Sequence, residues 1–154
     1  MKPRNTQLTL PIELVESQAQ WWAEWSVQHS ISGVDSESLH IACGLSVFVT
    51  QTCQWHSALV VELIRAGYLQ VKLDTPAINK LAQMLAEEFK STEGMHADLR
   101  RLRRAVAFIL AVRDLAGIAS LEEVTQGMSD LAALVIGRAL DYLWQAQCTD
   151  LGAP

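Results

Sequence analysis

Apolar residues recur every three or four positions along almost the whole of this 154-residue chain. That spacing places apolar side chains on one face of an α-helix, and it is clear, for example, from Leu39 to Cys53. The one doubtful stretch is Tyr68 to Leu73, where apolar residues alternate as they would in a strand. The pattern therefore predicts an all-α fold, a bundle of five or six helices with no sheet.

Local start and stop signals divide this pattern into helices. Asp74 precedes Pro76 as a capping residue would, and Ser120 with Glu123 forms a capping box. Gly67 and Gly117 are suited to the left-handed conformation that ends a helix. These signals predict helices over 12–29, 39–53, 58–66, 75 to about 92, 99–116 and 121 to at least 142.

Composition limits the class of protein. Twelve basic and 17 acidic residues give a net charge of −5, which argues against a dedicated nucleic-acid binder or a basic membrane-surface protein. The longest strongly apolar run, Ala105 to Val112, is far shorter than the roughly 20 residues that a membrane span needs. Three cysteines without a secretory signal are typical of a reduced, cytoplasmic protein. We expect a soluble single domain with no nucleic-acid or membrane partner.

Two short motifs resemble zinc ligands: His40-x-x-Cys43 and Cys53-x-x-His56. If both lie on the single helix predicted from Leu39 to Cys53, they are about 15–20 Å apart along its axis, so four ligands cannot meet at one ion. Cysteine is also a common core residue. The sequence favours core cysteines over a metal site.

Four arginines form the densest charge run in the chain: Arg100, Arg101, Arg103 and Arg104. The first, third and fourth share one helical face, and guanidinium groups bind phosphate or carboxylate in a two-pronged manner. The alternative is a solvated face paired with acids such as Glu87, Glu88 and Asp98. Taken from the residues alone, the solvated face is the preferred interpretation.

The sequence contains none of the common catalytic signatures. G-x-G-x-x-G, G-x-x-x-x-G-K-[ST], G-x-S-x-G and H-E-x-x-H do not occur, and there is no Asp-x-Asp pair. A helical bundle of this kind is more typical of a scaffold or binding element than of an enzyme.

The second half of the chain resembles a known family. Residues 99–117 contain an arginine-rich helix start, an apolar stretch and Arg-Asp-Leu-Ala-Gly. They are followed by Ser-Leu-Glu-Glu-Val at 120–124, a helix over 128–144 and a Gly-Ala-Pro ending at 154. Their order and spacing resemble the amino-terminal helical segment of bifunctional glutamine synthetase adenylyltransferase/adenylyl-removing enzymes. Agreement is looser over 39–66 and slight before that.

The chain also departs from this family. Ala105, Val106 and Ile109 stand where relatives often carry charged residues, so we expect polar contacts made there by relatives to be absent here. The family's glycine-rich nucleotidyltransferase loop and its Ser-Asp-x-Asp motif do not occur in this sequence. The resemblance therefore implies a helical lead-in without catalytic residues, and we expect the chain alone to be inactive.

By resemblance, the parent enzyme uses ATP and magnesium to attach AMP to a tyrosine of glutamine synthetase, and removes it by phosphorolysis under control of the PII protein. No cofactor is expected in this chain. Its implied partners are glutamine synthetase, the PII protein and the nucleotidyltransferase domain. Five arginines are the candidate contacts for a partner or neighbouring domain: Arg100, Arg101, Arg103, Arg104 and Arg113.

The resemblance also implies an organisation. We expect an amino-terminal helix and loop over 1–36, a helical bundle over 37–147 and the start of a linker to an absent nucleotidyltransferase domain over 148–154. The preferred interpretation is a scaffold or docking fragment of the enzyme. A stand-alone interaction module and a degenerate paralogue that competes with the full enzyme are the alternatives.

Overall fold

The computed structural model describes residues 12–86 and 92–152. Seven helices cover most of them, and no strand occurs in these two ranges, which confirms the all-α prediction. The helices are α1 (Ile12–His29), α2 (Val34–Leu45), α3 (Val47–Trp55), α4 (Ser57–Arg65), α5 (Thr75–Leu85), α6 (Thr92–Leu115) and α7 (Leu121–Leu151).

The predicted single helix from Leu39 to Cys53 is wrong at one residue. Ser46 has extended backbone angles (φ −140°, ψ 114°) and separates α2 from α3. Its hydroxyl accepts a hydrogen bond from the Val49 amide, and the Thr50 hydroxyl donates to the Cys43 carbonyl at 2.9 Å across the break. Serine side chains compete with helical backbone bonds in this way, so the break has a local cause.

The doubtful stretch from Tyr68 to Leu73 is a loop and not a strand. Gly67 ends α4 with φ +76°, as predicted, and the Tyr68 amide returns to the Leu63 carbonyl at 3.1 Å. Leu69 and Leu73 are buried while Val71 is exposed. The alternation therefore reflects a loop that inserts two leucines into the core.

Helices α5 and α6 differ from prediction in their length. The Asp74 side chain caps α5 as expected, accepting from the Ala77 amide at 3.0 Å. Helix α5 ends at Leu85, whereas the sequence predicted an end near residue 92. Phe89, predicted on its apolar face, lies outside the described residues. Helix α6 begins at Thr92, seven residues before the predicted start.

Helix α6 is the centre of the bundle, because it packs against α2, α3, α4, α5 and α7. Its core-facing side chains include Leu102, Ala105, Val106, Phe108, Ile109 and Val112, each at most 2% exposed. Ala105, Val106 and Ile109, the three positions singled out in the sequence analysis, are in this set. Their apolar side chains pack in the core.

A second cluster holds α1 against α2. The rings of Trp21 and Trp25 stack at 5.9 Å, as their spacing predicts, and Trp22 stacks on Trp25 at 5.6 Å. The imidazole of His40 on α2 lies 5.7 Å from the Trp22 ring and nearly parallel to it. This aromatic packing buries both Trp22 and Trp25.

The buried charged side chains within 12–86 and 92–152 form one ion pair. Arg113 on α6 donates through Nε to Oε1 of Glu123 on α7 at 2.9 Å and through an Nη to Oε2 at 3.2 Å. Its other Nη donates to the Leu69 carbonyl at 2.8 Å, and Glu123 accepts from the Leu73 amide at 3.2 Å. The pair thus ties two helices to the loop between α4 and α5.

Glu123 has a different role from the one that its capping box predicts. The Ser120 hydroxyl does accept from the Glu123 amide at 3.1 Å. The Glu123 carboxylate, however, binds Arg113 and Leu73 instead of returning to the Ser120 amide. In the folded protein this side chain makes tertiary contacts instead of capping the start of α7.

The two glycines inside α7 differ in their surroundings. A Cβ at Gly127 would lie 3.2 Å from the Leu110 side chain and 3.3 Å from the Leu73 carbonyl oxygen, so α7 approaches its neighbours closely at this position. A Cβ at Gly137 would meet nothing within 4 Å. Only Gly127 is explained by packing inside this chain.

Within the described ranges, no helix combines the length and the apolar character that crossing a bilayer requires. Even α7, with 31 residues, carries acidic and amide side chains along most of its length.

Breaking the buried ion pair should lower the free energy of unfolding much more than breaking an exposed ion pair. Glu123→Gln leaves the Arg113 guanidinium buried without a counter-charge, and we expect it to lower the free energy of unfolding by about 3–5 kcal/mol. Glu62→Gln, at the exposed Arg101–Glu62 pair (3.1 Å), should cost less than about 1 kcal/mol. Urea unfolding followed by circular dichroism measures both. Equal losses in the two variants would contradict the assigned role of the buried pair.

Candidate functional site

Helix α6 presents arginines on the side opposite its core face. Because Leu102 and Val106 are buried, Arg100 and Arg103 lie on the exposed side and Arg104 is half-buried at its edge. Arg100 and Arg104 are one turn apart, so their side chains project from the same face. The sequence prediction that Arg100, Arg103 and Arg104 share a face is thus consistent with how α6 packs.

These three arginines and two apolar residues line an open groove of about 320 Å³ between α3 and α6. Its lining residues are Phe48, Arg100, Arg103, Arg104 and Ala107. Among the residues that the structure describes, no carboxylate forms an ion pair with any of the three guanidinium groups. We call these five residues the arginine groove.

Phe48 is a member of the groove that the sequence analysis missed. Its place in the apolar pattern indicated a core residue, yet its side chain is 42% exposed. The cause is Ser46, which starts a new helix and changes the face on which the following residues lie. A serine interrupting an apolar run was the signal in the sequence.

Arg101 and Arg113 are not in the groove. Arg101 extends toward α4, where its Nη lies 3.1 Å from a Glu62 carboxylate oxygen. Arg113 is 4% exposed and fully engaged by Glu123 and the Leu69 carbonyl. Three of the five candidate arginines therefore line the groove. Arg101 forms an ion pair at the surface, and Arg113 is a core residue. The buried guanidinium of Arg113 is not accessible to a partner.

His56, at the junction of α3 and α4, lies within the electrostatic reach of the groove. Partial burial and, secondarily, the positive charge of Arg104 lower the pKa of its imidazole. Both factors disfavour the imidazolium form. The pKa of His56 therefore responds to the positive charge of the groove residue Arg104.

The residues of the two zinc-like motifs are used in packing. The break at Ser46 brings Cys43 and Cys53 together in the core, where a hydrogen bond that the Cys53 thiol donates to the Cys43 sulfur, together with burial, raises the pKa of the Cys53 thiol. The predicted separation of about 15–20 Å was therefore wrong. His40 stacks on Trp22, and the described ranges contain no group of three metal-ligating side chains.

A second surface feature lies on the outer side of α7. Four large apolar side chains are each more than half exposed there: Ile136, Leu140, Leu143 and Trp144. Their spacing of four, three and one residues puts them on one helical stripe, and Gly137 lies beside it with open space above. Exposed apolar stripes of this kind are typical of contact surfaces.

Comparison with known proteins identifies the family. The model of the glutamate-ammonia ligase adenylyltransferase family matches residues 36–154, which include most of α2, all of α3 to α7 and the whole arginine groove. The chain belongs to this family. The looser resemblance over residues 39–66 is therefore part of the same match.

Curated relatives carry the name bifunctional glutamine synthetase adenylyltransferase/adenylyl-removing enzyme. The protein of Nitrosococcus oceani is 36% identical over 77% of this chain, and that of Neisseria meningitidis serogroup A is 34% identical over 66%. The Shewanella loihica protein is 28% identical over 97% of the chain. The matched regions cover 12%, 11% and 16% of these relatives, respectively. No solved structure matches the chain.

The electrostatic coupling between Arg104 and His56 gives a direct test of the groove. Arg104→Gln removes one of the two causes of the lowered pKa, so we expect the pKa of His56 to rise toward its ordinary value of 6.5 while remaining below it because of burial. Titration of the imidazole Cε1–H signal by NMR measures this change. Arg65→Gln, on α4, is the control and should leave the titration curve in place. An unchanged curve in Arg104→Gln would contradict the described arrangement.

Proposed function

We propose that this chain is a non-catalytic docking element of the glutamine synthetase adenylyltransferase family, and that it contacts glutamine synthetase in the cytoplasm through the arginine groove. The supporting observation is the group of three arginines, Arg100, Arg103 and Arg104, without carboxylate partners among the described residues. Membership of the family suggests the partner, since the relatives' names identify glutamine synthetase as the protein on which they act.

The charge of the groove is unusual for this chain, whose net charge is −5. Like charges three and four residues apart on a helix destabilise it by about 0.2–0.5 kcal/mol for each pair. Elsewhere on the surface this cost is offset by ion pairs such as Arg101–Glu62. An anionic surface of a partner would offset it at the groove, and it would also accelerate the association of the two proteins.

The apolar stripe on α7 supports a scaffold role for this chain, in addition to the docking role proposed for the arginine groove. Ile136, Leu140 and Trp144 are 60–61% exposed on a helix whose opposite side packs on α5 and α6. We propose that this stripe contacts another domain of an adenylyltransferase, either in the same polypeptide or in a separate one. The relatives are several times longer than the region matched here, so they contain such domains.

We assign no reaction step to this chain. The family resemblance implies magnesium and ATP, and magnesium is held mainly by carboxylate oxygens. The described residues do not gather three acidic, histidine or cysteine side chains at any point, so they do not fit such a site. We propose that transfer and removal of AMP, and any contact with the PII protein, depend on parts of the relatives that this chain does not match.

One observation favours a second candidate, a self-contained binding module. The apolar residues Ala105, Val106 and Ile109 are completely buried. They are part of a core that is formed inside this chain. In this case the chain folds and binds its partner without any further domain.

The docking proposal is tested with the 154-residue chain and glutamine synthetase from the same organism. We expect biolayer interferometry to detect binding that weakens with rising salt, because the groove charges are exposed. Arg103→Glu combined with Arg104→Glu should weaken binding at least about tenfold, since it places like charges in the contact. Thermal unfolding of the variant should be unchanged, because neither side chain is in the core.

The matched control is Arg65→Glu combined with Lys80→Glu, which changes the net charge by the same amount at exposed positions on α4 and α5. Its affinity should remain within about twofold of the unsubstituted chain. Equal weakening in both double variants would contradict the groove as the docking surface. Absence of any binding by the unsubstituted chain would contradict the proposed function itself.

A further inference from the structure

The apolar stripe on α7 has the spacing of a surface that pairs with itself. Its partner, under the proposed function, is another domain in the same polypeptide or in a separate one. We infer that the separate polypeptide is a second copy of this chain, bound through an antiparallel pair of α7 helices around a two-fold axis at Leu140. The inference rests on the proposed contact role of the stripe and does not involve the arginine groove.

The end of α7 extends past the bundle. Residues 143–147 are five successive exposed positions, and five positions cover every face of an α-helix. This segment nevertheless carries Leu143 and Trp144, which are 52% and 61% exposed. A helix end with large apolar side chains and no cover from its own bundle is typical of a surface that contacts another protein chain.

The spacing of the stripe is symmetrical about Leu140. Ile136 and Trp144 lie four residues before and after it, and it is itself 61% exposed. Gly137 and Leu143 lie three residues before and after it. In two antiparallel helices centred on Leu140, these positions are therefore level with one another across the pair. A two-fold contact requires this property, because the same surface serves both copies.

The same pairing fills the open space above Gly137, where a Cβ would meet nothing within 4 Å in this chain. Gly137 and Trp144 are two helical turns apart and lie on one side of the stripe, while Ile136 and Leu143 lie on the other side. The two-fold axis brings like sides together, so Trp144 lies over the partner's Gly137. Because glycine destabilises a helix interior relative to alanine, the indole of a second copy explains a residue that packing within one chain does not.

The contact region has no net charge. Its charged residues between positions 133 and 147 are Arg138 and Asp141, which have opposite signs and both line the groove between α5 and α7. The stripe itself is uncharged. Two identical surfaces can therefore meet there without the repulsion expected from a chain whose net charge is −5.

The two bundles lie on opposite sides of such a pair. Leu131, a buried residue of α7, is nine positions from Leu140 and hence on the opposite face of the helix. Contact is thus restricted to α7, over about 21 Å of helix from residue 133 to residue 147. An interface of this size is at the low end of specific contacts, below about 1,200 Å² in total. We expect a dimer that dissociates on dilution.

Sedimentation equilibrium of the whole chain tests the pairing. The mass should be near 17.0 kDa at about 5 µM and approach twice that value at about 500 µM. Leu140→Glu should remain monomeric at the higher concentration, since it places two carboxylates at the two-fold axis. The matched control is Leu121→Glu, at an exposed apolar residue outside the paired region, and it should associate like the unsubstituted chain.

Gly137→Leu separates this pairing from non-specific hydrophobic association. It should weaken the dimer at least about tenfold, because the new side chain occupies the space of the partner's indole. Non-specific association predicts the opposite, since the substitution adds apolar surface. The thermal midpoint, measured by circular dichroism at a concentration where the chain is monomeric, should not fall, because a Cβ there meets no atom of the same chain.

Disulfide trapping gives the relative direction of the two helices. In a Cys148→Ser background with diamide as the oxidant, Leu140→Cys should form an intermolecular disulfide, because both copies of this residue lie at the axis. Gln147→Cys should not, since its two copies are about 21 Å apart along an antiparallel pair. In a parallel pair both variants would be trapped.

A monomer at every concentration would overturn the inference and assign the stripe to a different domain of a longer polypeptide. Equal loss of the dimer in Leu140→Glu and Leu121→Glu, a dimer strengthened by Gly137→Leu, or trapping of Gln147→Cys would overturn it as well. Arg103→Glu combined with Arg104→Glu should leave the sedimentation unchanged. Failure of this inference is therefore distinguishable from failure of the docking proposal, which is tested with glutamine synthetase.

Discussion

Arg113 on α6 and Glu123 on α7 form an ion pair in the core, where both side chains are more than nine-tenths buried. It joins the two longest helices, and its remaining hydrogen bonds reach the Leu69 carbonyl and the Leu73 amide, which are buried loop groups without helical partners. Separating the pair would leave two charges and two backbone groups in the core. The bundle can therefore close in only one register of α6 against α7 and the loop.

This register determines which face of α6 is available for function. With Leu102, Val106 and Ile109 directed into the core, the groove arginines must lie at the surface beside α3. The start of α3 at Ser46 then brings Phe48 to the same groove. The groove thus results from two structural events, the central packing of α6 and one helix break, and not from a loop specialised for binding.

The sequence predicted most of the fold because many of its signals are local. The Asp74 and Ser120 caps and the Gly67 stop depend on residues within one helical turn, so spacing alone identifies them. The partners of Glu123 lie 10 and 50 residues away, beyond what local patterns determine. Arg113 was predictable in principle, since it follows Ile109 by four residues and Val106 by seven on the core face.

We propose that the arginine groove is the surface that contacts glutamine synthetase. Hydrogen–deuterium exchange of the chain with and without glutamine synthetase tests it without any substitution. We expect slower exchange in peptides covering residues 46–56 and 99–107, and unchanged exchange around the buried pair at residues 113–123. Protection confined to α1 or to the outer side of α7, with none at the groove, would contradict it.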